Sequence, residues 1–265
     1  TIQTDAVDIA MLSATGTPGS TTFLRGDNSW ATVSAGVETN LTATSNIGLG
    51  ANAVNSITTG DYNVGLGDNA LTATTEGSYN TAQGFEALKA NTTANNNAAF
   101  GYQALKANTT GANNVSVGIY SLLTNTTGSE NIAVGRSVLE ANTTGGGNVA
   151  MGYKALRLNT TAANNVAIGA TTLYDNTTGA YNVAIGKSAL ANNTTADYNT
   201  AVGGLSLTAN TTGHSNTALG LNASASNTTG DYNTSSGYGA LNTATTADSN
   251  SAFGRRALYN TTTGA

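Results

Sequence analysis

An asparagine returns every seventeenth residue from Asn46 to Asn250, and the register holds through thirteen copies without an insertion or deletion. Counted from that asparagine, the copies read N-[VT]-A-[IVLF]-G-x-x-A-L-x-x-N-T-T-G-x-x. A short, strict period marks a stack of like units rather than one globular core, because every copy must place the same residue types in the same surroundings. Seventeen residues bury too little apolar surface to offset their own ordering entropy, so each unit must share packing and hydrogen bonds with its neighbours.

The pattern predicts an all-β fold: a parallel β-solenoid, or β-roll, of thirteen 17-residue coils. Positions 1 to 5 read as a strand, and the A-L pair at positions 8 and 9 reads as a second short strand or a tight turn. Position 5 is glycine in every copy, Gly169 among them, which suits a corner that needs positive φ or close backbone approach. The T-T-G segment supplies the next corner. Its position 15 is glycine or alanine, as at Ala94, Ala162, Ala196 and Ala247, so Gly179 is expected to accept alanine easily. Stacking sets each asparagine over its equivalent, so positions 1 and 12, Asn165 and Asn176 for instance, are candidates for amide ladders. With about 4.8 Å between stacked strands, the coils make a rod on the order of 60 Å long.

Charges locate the surface. All charged residues of the repeats fall at positions 6, 7, 10, 11, 14, 16 or 17, and none falls on the strand. A strand with one wet face would admit charge at alternate positions, so this one is expected to be buried on both faces, one against the coil's own core and one against another copy of the chain. Position 3 is always small, whereas position 4 is mostly large and apolar. The contrast predicts that position 4, Ile168 for example, fills the core, together with the position-9 leucines Leu156 and Leu173. Gln83 and Ser236 at position 4 then mark weaker coils.

Residues 1–45 lack the period and form a separate N-terminal connector; residues 46–265 form the repeat shaft. Within the connector, turn residues Gly26, Asp27 and Asn28 stand between Phe23-Leu24 and Trp30-Ala31-Thr32-Val33, which predicts a β-hairpin with Trp30 as a packing anchor. The stretch GTPGSTTFLRGDNSWATV resembles a connector found in bacteriophage tail-fibre proteins. The NTAxGxxALxxNTTG repeats resemble those of proteins with a tail-fibre domain, and they are similar to head repeats of trimeric autotransporter adhesins, whose repeat length differs. The resemblance implies a homotrimeric fibre, located in a virion tail or at an extracellular surface, that supports attachment to a host cell-surface receptor or glycan. Such tail-fibre families often close with a self-cleaving intramolecular chaperone. No segment resembling one stands before Ala265, where the sequence stops one residue short of completing its thirteenth repeat.

Few residues invite chemistry. Only 9% are charged, the net charge is -5, and there is no cysteine, so neither a basic nucleic-acid footprint nor a thiolate metal site is present. No run approaches the eighteen apolar residues of a membrane span, so no membrane insertion is expected. His214 sits alone at an exposed slot shared with Asp61, Asp197, Asp231 and Asp248, and it reads as solvated surface rather than a catalytic or metal site. Arg25-Gly26-Asp27 reads as the hairpin turn rather than an integrin motif. Asn-Thr-Thr recurs at position 12, as at Asn91, Asn142 and Asn210, and is formally a glycosylation acceptor, but laddering explains it better. Tyr62 with Tyr79, and Tyr181 with Tyr198, occupy position 17 of adjacent coils and are the candidates for stacking a glycan. The expectation is a non-enzymatic structural fibre shaft without cofactor, metal or catalytic residues; the alternatives are a glycan-binding adhesin whose shaft binds ligand and a glycosylated bacterial extracellular fibril.

Overall fold

The computed structural model describes residues 22–24, 30–32 and 45–262. In the N-terminal segment, β1 (Thr22–Leu24) and β2 (Trp30–Thr32) pair antiparallel, with Phe23 opposite Ala31 and Leu24 opposite Trp30. This is the expected hairpin. Its Arg25-Gly26-Asp27 turn and the packing role expected of the Trp30 side chain lie outside the described part.

From Ile47 onward every repeat contributes one three-residue strand, from β3 (Ile47–Leu49) to β15 (Ser251–Phe253), and the thirteen strands form one parallel sheet in sequence order. Partners are seventeen residues apart throughout: in β10 (Val166–Ile168), Val166 lies opposite Val149 on one side and Val183 on the other. The chain is a β-solenoid, and among the described residues it contains no helix.

The rest of each coil is turn, yet it also bonds between coils. Around the A-L pair the backbone carries positive φ at positions 7 and 9, Thr171 (55°) and Leu173 (50°) in the coil of β10. The bonds run in opposite directions along the stack: Thr171 N–H donates to Tyr153 O of the preceding coil at 2.9 Å, while Leu173 N–H donates to Ala189 O of the following coil at 3.1 Å. Positive φ costs a side-chain-bearing residue on the order of 1–2 kcal/mol. The hydrogen bonds to both neighbouring coils hold the leucine there despite that cost.

The glycine column at position 5 is a corner on both counts anticipated. Gly169 has φ +135°, and a Cβ built on it would lie 2.8 Å from the carbonyl carbon and oxygen of Gly186 in the next coil. Gly179 is tighter than its column suggests. Its φ is not positive, but a Cβ there would stand 2.3 Å from Ala196 O and 2.6 Å from Asn176 Oδ1, so alanine demands that the corner open.

The core corrects the expected facing of the strand. Position 3 points inward: Ala150, Ala167 and Ala184 are fully buried with the position-8 residues Ala155, Thr172 and Ala189 and the leucines Leu156, Leu173 and Leu190. Ile168, expected in the core, lies on the outer face and is 37% exposed. The reason is the narrowness of the coil. The leucine of the opposite wall reaches across, leaving room for only a methyl group, and a Cβ on Gly65 would already stand 2.6 Å from Val54 Cγ2. Gln83 and Ser236 therefore do not weaken the core; they interrupt the outer face instead.

Two asparagine columns complete the interior. Asn165 Nδ2 and Asn176 Nδ2 both donate to Gly179 O at 2.9 Å, which ties the two ends of the coil to one carbonyl. Each also reaches its equivalent below: Asn165 Nδ2 to Asn148 Oδ1 at 3.3 Å and Asn176 Nδ2 to Asn159 Oδ1 at 3.1 Å. The Asn165 N–H donates to Asn148 Oδ1 as well, at 3.0 Å. Fully buried amides are tolerable because their hydrogen-bonding groups are satisfied along the stack; the exception is Asn227 Oδ1, left without a partner where the position-12 column ends at Ala244.

Candidate functional site

With position 3 turned inward, positions 2 and 4 of every strand turn outward and form a ribbon along one side of the rod. Ile132 (40% exposed), Met151, Ile168, Ile185 and Leu219 belong to it, and Phe253 reaches 71%. No charged residue occupies either position in any coil. An isolated exposed leucine needs no explanation, but a mainly apolar, uncharged strip along a rod, broken at Thr81 and Gln83 and again at Thr234 and Ser236, marks an interaction surface.

The ionic side chains elsewhere serve the stack. Glu86 binds Lys89 and Lys106 at 2.6 Å each and accepts a hydrogen bond from Gln103 Nε2 at 2.8 Å. The Lys106 ammonium, then that of Lys89, holds its carboxyl down to about 2 against the opposing effect of burial. Arg157 Nε donates to Glu140 Oε2 and its Nη1 to Tyr174 Oη, both at 2.8 Å, which clamps three successive coils. Burial pushes the Glu140 carboxyl up, but hydrogen bonds from Arg157 and Ser137, together with the charges of Arg157 and Lys154, leave it below the ordinary value; Glu140, then Tyr174, in turn raises Arg157. Beside the Glu86 cluster, a groove of about 620 Å³ runs over Ala73, Ala90 and Ala107 between Lys106 and Leu123. Its two lysines, Lys89 and Lys106, are already committed to Glu86.

His214 is exposed and acts as a link between coils. Its Nδ1 accepts from the Asp197 N–H at 3.0 Å, and its own N–H donates to Asp231 Oδ1 at 2.6 Å. Asp248 Oδ1 accepts from the Asp231 N–H at 2.8 Å in the same way. Position 16 thus supplies an acceptor for the coil before it. Among the described residues, no three His, Cys, Asp or Glu side chains converge to hold a metal ion.

The tyrosine pairs stack on themselves. Tyr62 and Tyr79 have centroids 5.1 Å apart at 12°, and Tyr181 and Tyr198 lie 5.3 Å apart at 8°. Each pair spends one face of each ring on its partner, and the pairs are seven coils apart, about 34 Å along the rod. Sequence reasoning missed a third aromatic group: Phe85 stacks on Tyr102 at 5.4 Å, and Tyr120 meets Tyr102 edge-on at 5.5 Å. Its signal was the adjacency of Phe85 and Tyr102 at position 6 of consecutive coils.

The nine Asn-Thr-Thr asparagines at position 12 are buried, Asn91, Asn142 and Asn210 completely. Asn142 Nδ2 donates to Asn125 Oδ1 at 2.7 Å and to Gly145 O at 2.9 Å, so both amide hydrogens are used and the folded coil has no room for a glycan there.

No protein-family model matches the chain, and neither a curated protein nor a solved structure matches it significantly.

Proposed function

We propose that the chain is the non-catalytic shaft of a fibre, assembled from three copies through the ribbon of positions 2 and 4. The single observation that carries this reading is that ribbon: outward-facing and uncharged from β3 to β15, with an apolar side chain at position 4 in eleven of the thirteen coils. Thirteen three-residue strands spaced about 4.8 Å apart, each about 10 Å long, give a flat footprint of about 600 Å². Side-chain relief and the aromatic residues at position 6, Phe85, Tyr102, Tyr153 and Tyr238, add to it, bringing it near the ~800 Å² per partner of a stable interface. A self-bonded rod with a repeating surface suits mechanical extension and display. The resemblance of residues 16–33 to tail-fibre connectors, and of the repeats to fibre and adhesin repeats, suggests a virion tail fibre or an extracellular surface fibre that supports attachment.

The glycan-binding alternative rests on the tyrosine pairs, whose self-stacking and wide separation favour it less. Multi-angle light scattering under native conditions tests the shaft reading: the expected mass is three times the 26.4 kDa of one chain. A monomer at micromolar concentration refutes it.

A further inference from the structure

The proposed shaft makes no use of the tyrosine pairs. Tyr62 and Tyr79, and Tyr181 and Tyr198, occupy position 17 of adjoining coils on nearly equal backbones: φ is 60° and 60° in the first pair, 57° and 61° in the second. Equivalent backbones one coil apart carry their side chains in parallel. Each ring therefore overlies its partner almost as a translated copy, with 5.1 and 5.3 Å between centroids and planes 12° and 8° from parallel. The Tyr79 N–H donates to Asp61 O at 2.9 Å and the Tyr198 N–H to Ala180 O at 3.2 Å, which fixes the backbones that hold the rings. All four residues are more than half exposed, from 53% to 60%, and among the described residues none of the four phenol oxygens has a hydrogen-bond partner.

Among the described residues, no other tyrosines share this arrangement. Tyr153, Tyr174, Tyr238 and Tyr259 each face a lysine or arginine. Tyr102 stacks on Phe85, and Tyr120 meets Tyr102 edge-on at 82°. Tyr232 occupies the same slot as the pairs and is more exposed, at 66%, but Ser215 and Ser249 hold that slot in the coils on either side. One pair also stands where the shaft is least supported: Tyr62 and Tyr79 link the coil of β3, the edge strand of the sheet, to that of β4 (Val64–Leu66). Within the described shaft an edge coil has a neighbour on one side only, and stacked repeats open first at such ends. With no cysteine in the chain, a disulfide cannot hold that coil.

We propose that the two pairs are sites of oxidative coupling, at which peroxidase-activated hydrogen peroxide, a one-electron oxidant, bonds neighbouring coils ring to ring. This goes beyond the shaft function and does not depend on how copies of the chain associate. Each phenol gives up one electron and its hydroxyl proton, and the radical that results places unpaired spin on the ring carbons ortho to oxygen, the Cε atoms. Because the rings already overlie one another, a turn about the soft Cβ–Cγ torsion brings a Cε of one against a Cε of the other. A carbon–carbon bond forms between them, and the two Cε hydrogens move as protons to the phenol oxygens as the rings regain aromaticity. The peroxide takes up the two electrons and the two protons released and leaves as two waters. A reaction partner held in place acts at an effective concentration far above that of a second chain in solution, so coupling within a pair outruns coupling between chains.

In the test, an equal mixture of unlabelled and heavy-nitrogen-labelled full-length chains is treated with hydrogen peroxide and a haem peroxidase, then digested with trypsin and analysed by mass spectrometry. Cleavage after Arg157, Lys187 and Arg255 puts Tyr181 in residues 158–187 and Tyr198 in residues 188–255. The expected product joins these two peptides with the loss of two hydrogens, is wholly light or wholly heavy, and exceeds any product bonded through Tyr232 about tenfold. Tyr198→Phe should abolish it and Tyr232→Phe should leave it. Products that mix light and heavy chains, coupling through Tyr232 as readily as through Tyr198, or no coupling in a chain whose circular dichroism shows it folded, each overturn the proposal. The bridged chain should also melt about 5–10 °C above an equally oxidised Tyr79→Phe/Tyr198→Phe variant, because closing a seventeen-residue loop restricts the unfolded chain as a disulfide would. Equal melting temperatures would refute the clamping of one coil to the next.

Discussion

Replacing Gly169 by valine tests the corner on which every coil turns. Its φ of +135° belongs to a region that only glycine occupies freely, and a Cβ would meet Gly186 C, Gly186 O and Thr172 Oγ1, each at 2.8 Å. Forcing an L-residue there costs about 1–3 kcal/mol of backbone strain, and the overpacking adds about 1–3 kcal/mol. None of the three contacts is with the loose end of a long side chain, so little of this can relax. At about 2–4 °C per kcal/mol for a chain of this size, the melting temperature should drop by on the order of 5–20 °C. Gly204→Ala is the control: its φ is not positive, and its nearest new contact is the flexible Leu221 Cδ1 at 3.3 Å, so the change should stay within about 0.5 kcal/mol. Gly179→Ala should fall between them at about 1 kcal/mol. The contacts at 2.3 and 2.6 Å must open, but alanine at four equivalent positions shows that the corner can do so. Thermal unfolding followed by circular dichroism ranks the three. If Gly169→Val melts with the wild type, or Gly204→Ala falls as far, the corner argument fails.

Two further predictions separate core from surface and one charge state from another. Leu156→Asp places a carboxylate in the fully buried column and should unfold its coil, a loss of at least about 3 kcal/mol, whereas Ile168→Asp should leave the coil folded and abolish association; circular dichroism and light scattering run together decide it, and unfolding by Ile168→Asp would count against the outward assignment. Glu86, whose carboxyl is held at about 2, stabilises the fold fully above the ordinary carboxylate value of 4.5 and loses that contribution as pH falls through 2. The difference in urea midpoint between wild type and Glu86→Gln should therefore shrink from pH 6 to pH 2, and a pH-independent difference would show that the lysine pair does not govern Glu86.

The chain's sequence by itself determined the coil. A seventeen-residue period without slippage dictates stacking, because each asparagine, glycine and leucine must meet its own kind at the next level, and the ladders of Asn165 and Asn176 and the corner at Gly169 follow from that alone. The absence of charge at positions 2 and 4 likewise showed that the outer strand face is an unusual surface. Tertiary structure decided which side of the strand is the inside. Alternation tells only that Ala167 and Ile168 point opposite ways; it is the width of a one-leucine core, set by Leu156 and Leu173 reaching across from the far wall, that admits the alanine and turns the isoleucine out. The same holds for the positive φ of Leu173. Local preference argues against that conformation, and only the hydrogen bonds of Leu173 and neighbouring Thr171 to the coils on either side impose it, through contacts sixteen and eighteen residues away that local sequence does not display.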